Sequence, residues 1–403
     1  MRNCLKVVVT GDVDAGKSTL IGRFLYESGS ICDGVIGNIE ESCLRNGRDF
    51  EFAYLLDSFE EERENQLTID TTQVFCRDKK GREWLFIDVP GHKELIKNML
   101  VGSSYADIAV LVVDARESLK EQAKRHIQVL KFLEVGQFIV VINKMDSVCY
   151  NKEAFMNEKA KICAFFDKLN IKPRYCIPAS AKEGGNFIKN SQKMNWYKGE
   201  TLIEALSISC RRNRGSNFRL PVQDVYRFGS QNIIVGMVIS GKIRAGEKVT
   251  IFPFGKESKV KQIKVFNKHA RSAGFPDNIG LILDGNIGLK RGIILCKPKL
   301  PNSGTVILAK IFCVKALKRN ESLKFKSLSQ AAPAQIVRIV TIWDSVDLGV
   351  KPQADSLQEL DLAEIELNTR DPVVTEKFQG INSLGRFVLE DKDKEICAAG
   401  IIL

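Results

Sequence analysis

The sequence predicts an α/β domain built on a mostly parallel sheet, followed by two small antiparallel β-barrel domains. Three observations carry that reading. Residues 1–210 alternate short runs of Val, Ile and Leu with longer helix-like segments, the pattern of parallel βαβ units whose strands are buried on both faces. Beyond residue 217 the texture changes to short strands about ten residues apart, separated by glycine turns. Charge divides at the same places: Lys plus Arg against Asp plus Glu is 29 to 30 over residues 1–210, 18 to 5 over 211–300 and 13 to 14 over 301–403. The net charge of +11 therefore sits in the middle module, which poses the question of whether that surface meets a partner protein, RNA or only solvent.

In chain order, Leu5–Thr10, Trp84–Asp88, Ile108–Asp114, Phe138–Ile142 and Tyr175–Pro178 are the predicted strands of the parallel sheet. Ser18–Tyr26, Lys93–Ser104, Glu117–Glu134, Glu153–Leu169 and Thr201–Ser209 are the predicted helices, which makes residues 1–210 one domain. Arg211, Arg212, Asn213, Arg214, Gly215, Ser216 and Asn217 form a polar linker, 211–217. Residues 218–300 read as the basic barrel, with turns at Gly229, Gly241, Gly246, Gly255, Gly280 and Gly285. Within it Lys259–Val265 alternates lysine with apolar residues, so one strand face is cationic. Residues 305–403 read as the second barrel, after the Pro301–Gly304 break.

Several classes drop out. The longest strongly apolar run, around Ile108–Val113, is far short of the ~18 residues a membrane span needs. Met1–Thr10 enters an apolar strand with no cleavable signal pattern. The 11 cysteines are irregularly spaced without a CxxC pair, which predicts free thiols in a reducing cytoplasm. Three histidines, His92, His126 and His269, do not make a histidine-rich zinc site, and the last two are expected at the surface.

Gly11, Asp12, Val13, Asp14, Ala15, Gly16, Lys17 and Ser18, followed by Thr19, fit GxxxxGK[ST] between a strand and a helix. Backbone amides of such a loop hold phosphate oxygens, Lys17 neutralises the outer phosphates and the Ser18 hydroxyl ligates Mg2+. Asp88, ending a strand before Val89, Pro90 and Gly91, offers a carboxylate toward the metal, and the Gly91 amide reaches the terminal phosphate. Asn143, Lys144, Met145 and Asp146 end another strand. The Asp146 carboxylate accepts from N1 and N2 of guanine, donors that adenine lacks. Ser180, Ala181 and Lys182 follow a later strand and put the Ala181 amide toward guanine O6. Four motifs in order at the carboxyl ends of strands predict a P-loop GTPase domain that takes GTP or GDP with Mg2+.

The P-loop GDVDAGKST, the segment ERENQLTID at Glu62–Asp70 and DVPGH at Asp88–His92 resemble the translation-factor class of GTPases. STLIGRFLYES, LTIDTTQVFC, MNWYKGETLIEAL, FRLPVQDVYRF and SLGRFVLEDKDKEICAAGII narrow the resemblance to the GTPase subunit of bacterial heterodimeric sulfate adenylyltransferase. Elongation factor Tu and its relatives share the architecture. The resemblance implies that Thr68 closes over the metal, that His92 positions the attacking water, and that Val13 and Leu67 flank that histidine. Hydrolysis is then slow until a partner reorders residues 63–70, since no arginine other than Arg63 stands near the switch. Two departures are visible: Gln66 stands where the class carries glycine, and Asn195 where relatives carry proline.

Two functions follow from the resemblance, and a third possibility is a GTPase of this lineage redirected to another pathway. In the first, the chain couples GTP hydrolysis to adenylyl sulfate formation by a separate adenylyl-transferring catalytic subunit; with one Walker pattern and no HxxH, that transfer is not expected in this chain. In the alternative, an elongation-factor-like GTPase binds aminoacyl-tRNA, and the basic module supplies phosphate contacts to RNA. Neither involves a membrane.

Overall fold

The computed structural model describes residues 4–30, 33–45, 50–56, 73–77, 81–88, 106–132, 134–209, 216–229, 231–265, 268–285, 288–344 and 349–403. Two compact units result, 3–212 and 213–403.

The first unit is built on six strands: β1 (Cys4–Gly11), β2 (Gln73–Arg77), β3 (Glu83–Asp88), β4 (Ile108–Asp114), β5 (Phe138–Asn143) and β6 (Tyr175–Pro178). They lie in the order β2-β3-β1-β4-β5-β6, parallel throughout except for β2 against β3. Among the described residues the longer helices are, in chain order, α1 (Lys17–Ser28), α2 (Asp33–Arg45), α3 (Glu121–Phe132), α4 (Lys152–Lys168) and α5 (Leu202–Ser209). β4 and β5 are buried at every position, as strands covered on both faces must be. Val7, Val9, Val110, Val112, Ile139 and Val141 pack with Leu20, Phe24, Leu202 and Leu206 of α1 and α5. The alternate residues point the other way, where Phe138 meets Phe166 of α4 edge-on at 5.4 Å. This arrangement brings the carboxyl ends of β1, β3, β4, β5 and β6 into one row, and the motif residues with them.

Among the described elements of this unit, β2 and α2 were not predicted. β2 is a five-residue edge strand in which the exposed Phe75 between buried Val74 and Cys76 hides the alternation that would mark it. α2 contains Gly34 and Gly37, which weaken any helical signal. The predicted helix Lys93–Ser104 lies outside the described residues.

The second unit holds two antiparallel systems. One runs in the order Phe218–Pro221, Ile294–Lys297, Lys248–Phe252, Lys256–Val265, Asn278–Leu283, Gln231–Met237, Asp224–Phe228. The other is a closed six-strand barrel: Leu323–Ser327, Arg386–Glu390, Ile396–Ile402, Asn302–Cys313, Leu362–Thr375 and Gln330–Trp343, whose last strand pairs back to the first. The fold is thus a mostly parallel α/β domain followed by antiparallel β-barrel structure. Each system has its own core, and a third cluster of Ile239, Ile294, Val374, Ile381 and Leu384 packs one against the other. Beside it the fully buried Arg219 donates to Glu376 Oε1 through Nε at 3.1 Å and Nη2 at 2.7 Å, and to Phe218 O through Nη1 at 3.0 Å.

Eight cysteines among the described residues are free thiols. No helix among the described residues is long and apolar enough to cross a membrane.

Candidate nucleotide site

The loop between β1 and α1 is shaped by two glycines. Gly11, at φ 154°, lies so close to β4 that a Cβ would sit 2.1 Å from Val112 O. Gly16 precedes α1 in a left-handed conformation, φ 90° and ψ 33°, and a Cβ there would meet Asn143 Nδ2 at 2.4 Å. Asp14 is left-handed as well, and Val13 is exposed. The buried Lys17 donates to Asp12 O at 2.8 Å and Gly11 O at 3.3 Å, so its ammonium stays within the loop that it serves. Burial pushes the Lys17 ammonium below its ordinary pKa, against the opposing pull of Asp88, Asp12 and Asp14. The Asp12 carboxylate turns away from the loop and accepts from Lys120 N at 3.1 Å and Ala123 N at 3.2 Å, capping α3.

Ser18 Oγ donates to Asp88 Oδ2 at 3.2 Å. The sequence separates these two oxygens widely, and the parallel pairing of β1 with β3 reunites them. A hydroxyl beside a carboxylate is a donor set that suits a hard cation completed by phosphate and water, so the pair fits Mg2+.

At the base end, Asn143 ties two loops together. Its Nδ2 donates to Ala15 O and its Oδ1 accepts from Ala181 N, each at 2.9 Å. The Ala181 amide, expected toward guanine O6, is thus engaged by Asn143 and must exchange partners to reach a base. Ser180 Oγ donates to Asp146 Oδ1 at 2.6 Å and accepts from Glu183 N at 3.2 Å, which fixes the rotation of the Asp146 carboxylate. Lys182 O accepts from Arg23 of α1 at 3.2 Å. Thr19 lies in the first turn of α1. Asn195, φ −61°, has the backbone that a proline would impose, so its substitution leaves the loop path intact.

Two features were missed. Asp114, ending β4, pairs with Lys144 Nζ at 2.9 Å and with the guanidinium of Arg116 at 2.7 Å. An acid at the carboxyl end of a buried parallel strand is a signal that could have found it. His126, expected at the surface, is fully buried, with Nδ1 2.6 Å from Thr10 Oγ1. It shares the inner stripe of α3 with Ala123 and Leu130, which outweighs its charged neighbours Lys124 and Arg125. His269 is exposed, as expected. Thr68, Gly91 and His92 lie outside the described residues, as do Arg63, Gln66 and Leu67.

Fold and site together define a P-loop GTPase of the translation-factor type. Residues 2–235 match the family described as Elongation factor Tu GTP binding domain, and residues 306–403 the family described as GTP-eEF1A C-terminal domain-like. Elongation factor 1-alpha of Pyrobaculum calidifontis is 34% identical over 421 residues, covering 99% of this chain and 94% of that protein. That of Pyrococcus furiosus is 36% identical over 420 residues, covering 99% and 97%. The chain therefore belongs to the elongation factor Tu/1-alpha family of GTPases. The S. cerevisiae Ski7 GTPase-like domain, solved bound to GTP, shares the fold, with a TM-score of 0.55 at 17% identity over 99% of this chain and 97% of that one.

Proposed function

We propose that this chain is an elongation-factor-like GTPase that binds aminoacyl-tRNA in its GTP form and releases it after hydrolysis. The observation that carries the reading is the likeness to elongation factor 1-alpha over 99% of the chain, which includes the basic module as well as the GTPase domain. The module's cations suit an RNA backbone. Lys242, Arg244, Lys248, Lys256, Lys259, Lys261 and Arg271 are exposed, and Lys248 stands directly opposite Lys259 across two strands. Like charges in that position cost stability, and Lys248 is paired with Glu257 at 3.2 Å while Lys259 adds a second cation beside it. A polyanion relieves that cost.

In this reading Lys17 would neutralise the β and γ phosphates, and Ser18, Asp88 and Thr68 would hold Mg2+, which would supply charge neutralisation on the transferring phosphoryl group. Gly91 donates to the γ phosphate, His92 orients the water, and Asn143, Asp146 and the Ser180–Lys182 loop read the base.

A filter-binding titration against aminoacyl-tRNA, with GTP or GDP and over a range of salt, tests this. Tight, GTP-dependent binding that falls steeply with salt is expected. Equal and weak binding with both nucleotides overturns it. A second reading, as the GTPase subunit of sulfate adenylyltransferase, rests on segments such as STLIGRFLYES and SLGRFVLEDKDK, and the compared relatives lend it no support. It requires GTP-dependent adenylyl sulfate formation when the chain is mixed with an adenylyl-transferring subunit, ATP and sulfate.

A further inference from the structure

Asp114 stands in register with Asn143 on the neighbouring strand, and Ala115 N donates to Asn143 O at 2.9 Å. Its carboxylate is buried and saturated. Oδ1 accepts from Arg116 N at 2.9 Å and Arg116 Nε at 3.0 Å, and Oδ2 from Arg116 Nη2 at 2.7 Å and Lys144 Nζ at 2.9 Å. Lys144 has a left-handed backbone, φ 60° and ψ 36°. A lysine holds that conformation only where its surroundings over-determine it. Here the backbone is pinned by Met145 N donating to Ala179 O at 3.1 Å, and the far end of the side chain by Asp114. Arg116 also lies within electrostatic reach of Asp146, so one guanidinium answers to the carboxylates on both sides of Lys144.

We infer that Asp114 is a positioning residue for base recognition: by holding Lys144 Nζ and Arg116, it sets residues 143–146 in the conformation that meets a guanine. The inference rests on the GTP reading of this pocket. The side-chain contacts of Asp114 are to Arg116 and Lys144 and not to a phosphate-loop residue, so its direct influence falls on the base end. A carboxamide in its place has one acceptor for two cations and turns its NH2 toward one of them.

The test is calorimetric titration of the full chain and of Asp114→Asn with GDP, ADP and inorganic pyrophosphate. GDP affinity is expected to fall about tenfold, while the ADP and pyrophosphate constants stay unchanged, so the GDP/ADP ratio contracts by about the same factor. Asp114→Glu restores part of the loss. If all three ligands weaken together, or if the GDP/ADP ratio is unchanged, the inference is overturned. Arg116→Gln, at an exposed and therefore tolerant position, serves if Asp114→Asn does not fold; a contraction of about threefold supports the inference and an unchanged ratio refutes it. Failure of the unaltered chain to prefer GDP over ADP would instead defeat the GTP reading itself.

Discussion

Thr10 Oγ1 and His126 Nδ1 lie 2.6 Å apart and join the end of β1, just before the phosphate loop, to the inner face of α3. Burial, reinforced by the charges of Lys17 and Arg125, pushes the imidazole down to about 3. In the unfolded chain it titrates near ~6.5.

The folded state therefore refuses a proton that the unfolded state takes up as the pH drops below that value. The stabilisation is complete above ~6.5 and erodes toward 3, by up to about 1.4 kcal/mol per pH unit. His126→Gln is expected to be less stable than the parent at pH 7.5, by about 1 kcal/mol for the lost hydrogen bond, but flatter between pH 6.5 and 4.5. Thermal midpoints across that range decide it; parallel curves for the two proteins would rule out His126 as the source.

Lys17→Met separates stability from binding. The buried ammonium is costly to the empty fold, so the variant should be no less stable in urea, while GDP affinity falls by about a hundredfold or more. A large loss of stability would show that its two backbone contacts carry structural weight.

Gly16→Ala should fail in a different way. Its Cβ would collide with Asn143 and its φ is unfavourable, so the alanine displaces the carboxamide that joins the P-loop to the Ser180–Lys182 loop. A destabilisation of about 1–3 kcal/mol and a GDP affinity at least about tenfold lower are expected, read by urea titration and calorimetry. Unchanged GDP affinity would show that the Asn143 tie is dispensable.

In the second unit, Arg219→Ala leaves Glu376 facing the interface without its cation. The cost is expected to be about 3–5 kcal/mol, whereas Arg219→Met combined with Glu376→Met costs far less. Urea unfolding of the two variants compares them directly, and equal losses would contradict the ion-pair account.

The motifs were legible because their chemistry fixes residue types at fixed spacing. Gly11 and Gly16 must be glycine for the loop to take its path, Lys17 supplies the cation beside it, and the apolar runs of β4 and β5 announce their own burial. The supports of those motifs were not legible. Asp114 meets Lys144, and Thr10 meets His126, only because the sheet order places separate parts of the chain side by side, a fact of topology that no local pattern carries. His126 misled for a related reason: it follows two charged residues in sequence, while helical periodicity turns it inward.

Closure of the six-strand barrel has a consequence for a chain that lacks one of its strands. Ile396–Ile402 lies between Asn302–Cys313 and Arg386–Glu390 and satisfies a backbone edge of each. Without those seven residues, the other five strands would form an open sheet with two unsatisfied edges, which invite pairing with other chains. Loss of this one strand would therefore turn a protein without barrel edges into a product prone to aggregate.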